Sequence, residues 1–144
     1  MPTFHRVIHV GLTVRDMDFS AMWYQRVLGF KLVRRFDVQP GSPGITRTLL
    51  LHPDSGFLIG LYRHEHRSGD EFSPLRTGLD HLALEVSGDA ALAAWVDHLD
   101  LVGVAHSPIR ELGHSRFVSL EDPDGIQLEL WRTITPHRPA EHPS

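Results

Sequence analysis

The chain contains no cysteine among its 144 residues. Disulfide bonds, thiolate metal ligands and a cysteine nucleophile are therefore excluded. The lack of cysteine does not by itself assign a cellular compartment.

Long apolar runs and basic clusters are also missing. No stretch approaches the roughly 18 consecutive apolar residues of a membrane-spanning helix, and residues 1–4 lack the pattern that opens a signal peptide. The net charge of −4, without zinc-finger spacing, argues against nucleic acid as the main partner. We expect a cytoplasmic protein that acts on a small molecule and binds neither membranes nor nucleic acids.

One strand pattern occurs twice, at residues 9–14 and again at residues 81–86. In both copies alternate residues are aliphatic, which is typical of a strand with one buried face. His9 and His81 open the two copies and fall on the opposite, non-aliphatic face. Each histidine is followed two positions later by a small residue that leaves space beside it. A duplicated unit with one histidine per copy is a plausible basis for a metal site.

Each repeated strand is followed by the same series of patterns. A helix pattern ends at Gly29 in the first half and at Gly103 in the second, since glycine suits the left-handed position after a helix. Two short strand patterns follow, at 104–110 and 115–120 in the second half, and then a turn and an apolar strand. Each half is therefore predicted to be βαβββ. The predicted bounds are a single domain at 1–135, with module one at about 5–66 and module two at about 78–133, and a disordered tail at 136–144.

Glu129 interrupts the last apolar strand. Leu128 and Leu130 flank it, so its side chain lies on the face that the histidines also use. A carboxylate there is costly unless it is paired, protonated or bound to a cation. Two histidines and one carboxylate form a facial ligand set with open positions, suited to Fe(II), with Mn(II), Ni(II), Co(II) or Zn(II) also possible. We therefore predict one divalent ion per site, held by His9, His81 and Glu129, with Glu129 as the catalytic candidate.

At these residues the chain resembles the vicinal oxygen chelate superfamily, which includes glyoxalase I, fosfomycin-resistance enzymes, bleomycin-resistance proteins and extradiol dioxygenases. The resemblance covers about residues 5–133. Its most specific motifs are the strand at 9–14, the helix end at 24–30, the segment 78–81, and the turn 121–125 leading into 128–130. The resemblance implies an α+β fold in which two paired βαβββ modules form a cup-shaped mixed sheet around the metal, with the helices outside. It also implies His9, His81 and Glu129 as the ligands.

Gly60 departs from part of that superfamily. Glyoxalase I takes a fourth ligand, Glu or Gln, from this position and uses the carboxylate as a base next to a carbonyl. Ordinary lactoylglutathione lyase activity is therefore not expected, and the three-ligand set is more similar to the dioxygenase and fosfomycin branches. We rank dioxygenase-like chemistry first. The alternatives are a glyoxalase-like lyase or thiol transferase, and a metal-free resistance protein that sequesters a ligand.

Several polar and aromatic residues are candidates for the substrate pocket. Tyr62 and Trp131 share the strand face of Gly60 and Glu129, and His64 lies just beyond. Two arginines in strand patterns offer a planar fork to an anionic group, although surface positions fit them equally well. The candidates are Gly60, Tyr62, His64, Trp131, Arg47 and Arg116.

The combined reading is a metalloenzyme that binds a compact, oxygen-rich metabolite through two neighbouring oxygens. We expect a homodimer, because each module alone leaves sheet edges and an apolar face uncovered. The sequence leaves open whether His9 meets His81 and Glu129 of its own chain or of the partner.

Overall fold

The computed structural model describes residues 1–3, 5–37, 44–66, 69 and 71–133, so the tail predicted at 136–144 lies outside the described residues. The first half contains strand β1 (His9–Thr13), helix α1 (Met17–Leu28) and strands β2 (Lys31–Phe36), β3 (Ile45–Leu51) and β4 (Leu58–His64). The second half contains strand β5 (Leu82–Glu85), helix α2 (Asp89–Val102) and strands β6 (Arg110–Leu112), β7 (Ser115–Glu121) and β8 (Gln127–Thr133). The predicted βαβββ order is confirmed in both halves.

The chain divides into two compact units. Unit one is Met1–Phe72 with Asp122–Gly125, and unit two is Ser73–Glu121 with Ile126–Ser144. Each contains one four-stranded sheet, in the order β1-β4-β3-β2 or β5-β8-β7-β6. In both sheets the first pair is parallel and the other two pairs are antiparallel. The α+β class with two mixed sheets is therefore confirmed.

Helix α1 covers one face of the sheet of unit one. Its amino terminus is capped by Asp16, whose carboxylate accepts a hydrogen bond from the Phe19 amide, and it ends at Gly29 with φ of 75°. The buried face of the helix, which includes Tyr24, contacts β2, β3 and β4. The other face of that sheet carries no helix of unit one, and we call it the helix-free face of unit one.

The turn Asp122–Gly125 is part of unit one and is held there by buried carboxylates. The Tyr24 hydroxyl donates to Asp122 Oδ2 at 2.9 Å, and Arg15 Nε donates to Asp124 Oδ1 at 2.7 Å. Burial, together with the charge of Asp122, raises the pKa of the Tyr24 hydroxyl. Ser20 Oγ also donates to Asp124, at 3.3 Å. The turn motif found in the sequence therefore has a structural role, because each carboxylate is paired where it is buried.

Helix α2 covers the corresponding face of the sheet of unit two, where it contacts β7 and β8. Its cap residue is Gly88, which gives no side-chain hydrogen bond. Asp89, in the first turn, instead accepts from Arg116 Nη1 at 3.1 Å and pairs with Arg132 Nη2 at 3.0 Å. A carboxylate here also suits the positive end of the helix dipole.

Strand β6 is displaced from its predicted position, and only Arg110 is common to the predicted and observed strands. The pattern at 104–110 predicts a strand, but regular pairing is confined to Arg110–Leu112. Before it, His106 makes only an isolated bridge to Leu120. Pro108 has no N–H to give to a ladder, which accounts for the interruption.

Candidate metal centre and neighbouring surfaces

His81 and Glu129 form a close pair in unit two. His81 directly precedes β5, Glu129 lies in the middle of β8, and β5 and β8 are parallel neighbours. The distance from His81 Nε2 to Glu129 Oε2 is 3.5 Å. The fold therefore brings these two predicted ligands close together.

Asp80 holds the other side of the His81 ring. Its Oδ1 lies 2.5 Å from His81 Nδ1, so the carboxylate accepts a hydrogen bond from the ring N–H there. This hydrogen bond is the main cause that raises the pKa of His81. The negative charge of Glu129 raises it further, whereas partial desolvation of the ring lowers it. In the neutral imidazole this arrangement leaves the lone pair of Nε2 directed away from Asp80, which is the form that binds a metal.

Glu129 is buried, with only 6% of the residue exposed. Its Oε2 has no hydrogen-bond partner among the described residues, and the same holds for Oγ of Ser119, which lies directly opposite on β7. A buried acceptor without a partner costs free energy, so native structures rarely contain one that serves no purpose. The carboxylate and the imidazole nitrogen beside it are donor atoms that suit a divalent first-row cation.

His9 lies in unit one, at the start of β1. The burial of Leu12 and Val14, at 3% and 1% exposed, confirms that β1 directs its aliphatic row to the helix side and His9 to the other. Across the described ranges, no three His, Cys, Asp or Glu side chains are close enough together to hold a metal ion. The three-ligand set therefore stays a prediction, of which the His81–Glu129 pair is assembled in the structure.

The Tyr62 ring covers Gly60, the position that supplies a fourth metal ligand in glyoxalase I. The ring lies along β4, so that a Cβ added to Gly60 would meet Tyr62 Cε2 at 2.8 Å. A Cβ on Gly11, the neighbour of Gly60 on β1, would meet the same atom at 3.0 Å. Both glycines are thus needed for this close approach. The aromatic ring takes the space that a side chain at Gly60 would otherwise use.

Arg47 lies beside Tyr62 on the helix-free face of unit one. The two residues are opposite each other on β3 and β4, and Phe36 is opposite Arg47 on β2. Arg47 Cζ lies 4.4 Å from the centroid of the Phe36 ring and 6.0 Å from that of Tyr62. His64, at the end of β4, is half-buried opposite Ile45. The structure therefore brings Arg47 and Tyr62 together and places His64 farther along the same face.

Trp131 and Arg116 lie on opposite faces of the sheet of unit two. Trp131 stacks on Phe117, with ring centroids 4.6 Å apart and an interplanar angle of 11°. Arg116 instead points to the helix side, where it binds Asp89 and has Nε 3.3 Å from Glu111 Oε1. The structure does not bring Arg116 to the pocket face, because residue alternation along β7 sends it the other way.

The geometry can now be compared with known proteins. The family model described as Glyoxalase/Bleomycin resistance protein/Dioxygenase superfamily matches residues 6–130. The chain belongs to this superfamily. It is similar to a glyoxylase/bleomycin resistance protein/dioxygenase domain from Frankia sp. EAN1pec, with 31% identity, a TM-score of 0.82, and coverage of 94% of this chain and 96% of that one.

More distant structures share the superfamily fold. The fosfomycin resistance protein FosX from Listeria monocytogenes, in complex with Mn(II) and sulfate, is 16% identical with a TM-score of 0.65 over 90% of this chain and 93% of its own. Lactoylglutathione lyase from Agrobacterium tumefaciens is 16% identical with a TM-score of 0.67 over 88% and 92%. No curated protein matches the chain significantly. Within the described ranges, neither helix is long and apolar enough to cross a membrane.

Some neighbours of the site in this superfamily member were not found from its sequence. Asp80 precedes His81 directly, and that adjacency was a usable signal. Ser119 and Phe117 were missed because their positions opposite Glu129 and Trp131 depend on the register of β7 against β8. Strand register is set by the whole sheet, so short patterns do not reveal it.

Proposed function

We propose that the protein is a divalent-metal-dependent enzyme that acts on a small, oxygen-rich metabolite bound through two neighbouring oxygens. The observation that carries this proposal is the buried Glu129 Oε2, which lacks a hydrogen-bond partner among the described residues and lies 3.5 Å from His81 Nε2. Two donor atoms bound to one ion at about 2.1 Å, in adjacent positions, are about 3 Å apart. The pair therefore needs little movement to share a cation.

His81 and Glu129 would hold the ion, with His9 as the third ligand. The Mn(II) in the FosX complex supports a divalent ion in a related fold. When bound, such an ion supplies Lewis-acid polarisation of substrate oxygens and stabilises negative charge that develops on them. Asp80 orients the His81 ring and raises its basicity through the hydrogen bond to Nδ1. A homodimer with two equal sites is part of this proposal.

The environment of Gly60 favours one group of reactions. A lyase of the glyoxalase type uses a carboxylate at this position as a base, whereas here the Tyr62 ring lies against Gly60, with Oη 3.4 Å from where a Cβ would stand. At neutral pH a phenol is a much weaker base than the metal-bound carboxylate that such a lyase uses. We therefore place dioxygenase-like chemistry first and thiol addition second, ahead of glyoxalase-like proton abstraction.

The first test is metal content. Protein purified without chelators is expected to contain about one divalent ion per chain and to lose it to EDTA. Glu129→Gln should reduce the metal affinity at least about tenfold, since even changes beyond the ligands cost 10–100-fold. Glu85→Gln is the matched control, because Glu85 is exposed on the neighbouring strand. Equal metal content in wild type and Glu129→Gln would reject the assignment.

The second test is turnover. The metal-loaded protein is assayed with catechols in air, with α-keto aldehydes plus a thiol, and with epoxides plus a thiol. We expect turnover that Glu129→Gln abolishes and Glu85→Gln retains. Tight binding of a panel member with neither metal nor turnover would favour the ligand-sequestering alternative.

Mixing two inactive variants identifies the source of His9. His9→Ala and Glu129→Ala each remove one ligand. If the third ligand comes from a second copy, a mixed dimer has one intact site, and an equilibrated equal mixture regains about a quarter of wild-type metal binding. If the ligand set lies within one chain, the mixture regains none.

A further inference from the structure

The helix-free face of unit one carries two arginines around one aromatic ring. Pairing across the sheet places Phe36, Arg47, Tyr62 and Thr13 in a single row over four strands. Arg34, after an irregularity in β2, falls on this face as well, opposite Leu49. Arg34 Cζ lies 4.6 Å and Arg47 Cζ 4.4 Å from the Phe36 centroid.

Neither guanidinium has a carboxylate partner within the described part of the chain. Nε of Arg47 is also buried without a hydrogen-bond acceptor among those residues. By contrast, Arg35, the next residue on β2, pairs with Asp18 at 2.5 Å and lies 3.8 Å from Asp37. The two arginines of this face thus differ from Arg35 in having no carboxylate within reach among the residues that the structure describes.

Among the described residues, no negative charge balances the two arginines of this face. Two like charges on one ring repel each other, and a desolvated donor without an acceptor costs free energy. Contact with the Phe36 and Tyr62 rings offsets part of that cost and restricts where the guanidinium of Arg47 lies. A planar, pre-oriented fork is the geometry that binds two oxygens of a carboxylate or phosphate group.

The equivalent row of unit two shows that the fold does not require an arginine at the position of Arg47. There Phe117 takes the place of Arg47 and stacks on Trp131, which takes the place of Tyr62. The sheet forms in both units. The row of unit two has its arginine at the edge instead, with Arg110 opposite Phe117, and it ends in a carboxylate, with Glu85 opposite Trp131. The fold therefore accepts an aromatic residue at the position of Arg47, and the row of unit one, unlike that of unit two, includes an arginine but no carboxylate.

We propose that Arg47, with Arg34 beside it and Phe36 and Tyr62 as its support, forms a binding site for an oxyanion, either a carboxylate or a phosphate-type group. Tyr62 extends from this row over Gly60 and Gly11, on the face to which His9 belongs. The site would then hold the anionic end of the metabolite, which makes the substrate an anion. That last step, from an anion site to a substrate site, rests on the proposed function.

The experiment follows the arginine Nε–Hε signals of the ¹⁵N-labelled full chain by NMR. Inorganic phosphate and acetate are titrated separately at constant ionic strength, on protein as purified and again after EDTA. We expect a saturable shift of the Arg47 signal with at least one of the two anions, and this shift should persist in EDTA. The anion that saturates at the lower concentration identifies the type of group.

Variants separate a site from general attraction. Arg47→Gln should weaken binding at least about tenfold, and Arg47→Lys should also weaken it, since it keeps the charge but loses the planar fork. Arg35→Gln removes the same charge from an already paired position and should change the affinity less than about twofold. Arg34→Gln, at an exposed residue, tests the second guanidinium should Arg47 variants fold poorly, and should weaken binding several-fold.

Shifts that never saturate, or that Arg35→Gln weakens as much as Arg47→Gln, would overturn the proposal. Its failure is distinguishable from that of the proposed function, because the titration in EDTA needs no metal. Metal bound without an Arg47-dependent anion site would reject only this inference. An Arg47-dependent anion site without metal would reject only the metalloenzyme.

Discussion

Replacing Glu129 by glutamine should stabilise the metal-free protein while removing its response to metal. In the absence of a cation, Glu129 is a buried carboxylate whose Oε2 has no hydrogen-bond partner among the described residues. Its neighbour His81 has a side chain 39% exposed to solvent, so pairing between the two is weak. Glutamine has nearly the same shape and no charge to desolvate.

The magnitude follows from these contacts. An unsatisfied buried polar group costs about 1–3 kcal/mol, and the glutamine amide keeps part of that cost. We therefore expect Glu129→Gln to raise the free energy of unfolding in EDTA by about 1 kcal/mol, or the Tm by about 2–4 °C for a chain of this size. Metal at 100 times its Kd stabilises the wild type by about 2.7 kcal/mol, and a tenfold loss of affinity removes about 1.4 kcal/mol of this.

The assay is thermal and urea unfolding of wild type, Glu129→Gln and Glu85→Gln, each in EDTA and with added Mn(II) or Zn(II). Glu85 lies on the same face of the sheet as Glu129, opposite Trp131 on the neighbouring strand, but it is exposed. Its variant should therefore behave as wild type in both conditions. The reasoning is refuted if Glu129→Gln is less stable than wild type in EDTA and still gains the full stabilisation from metal. That result would mean that the carboxylate is satisfied within the fold.

Three further outcomes are expected. Light scattering at micromolar concentration should give a dimer, since edge strand β2 leaves Leu32 and Val33 54% and 53% exposed; a monomer would contradict this. Gly60→Ala should lower the free energy of unfolding by about 1–3 kcal/mol, because the new methyl group overlaps the Tyr62 ring. In a Tyr62→Ala background this penalty should disappear, and an unchanged penalty would reject the overlap as its cause. Metal-loaded wild type should form little or no lactoylglutathione; rapid formation would require a base other than a side chain at Gly60.

Much of the fold could be predicted because its signals are local. Apolar alternation and the glycines that end the two helices, Gly29 and Gly103, act over a few residues each. Because the order of elements is duplicated, the prediction for each half also supported the prediction for the other. Strand β6 was the exception. The predicted segment contains Pro108, which has no N–H to donate to a neighbouring strand. A pattern of apolar residues does not reveal this loss of a backbone hydrogen bond.

The site could be predicted only in part, because the register between neighbouring strands decides which face of the sheet each side chain occupies. The strand face of Glu129 was predicted correctly, since both of its neighbours are leucine, which leaves one face for the carboxylate. The face of Arg116 was not, because Phe117 and Val118 are both apolar and the alternation around it is ambiguous. The structure resolves this by placing Val118 in the core and Arg116 beside Asp89.

The two copies of the module differ at the candidate metal centre. Equivalent strands place Glu129 in unit two where unit one has Gly60, and backbone pairing to the first strand is the same in both. A carboxylate can occupy this position only if a cation or hydrogen bonds compensate its burial, whereas glycine can occupy it only if another group fills the space. Tyr62 fills that space in unit one. Glycine at position 60 and the position of the Tyr62 ring are therefore coupled, because a Cβ at Gly60 would overlap the ring at 2.8 Å.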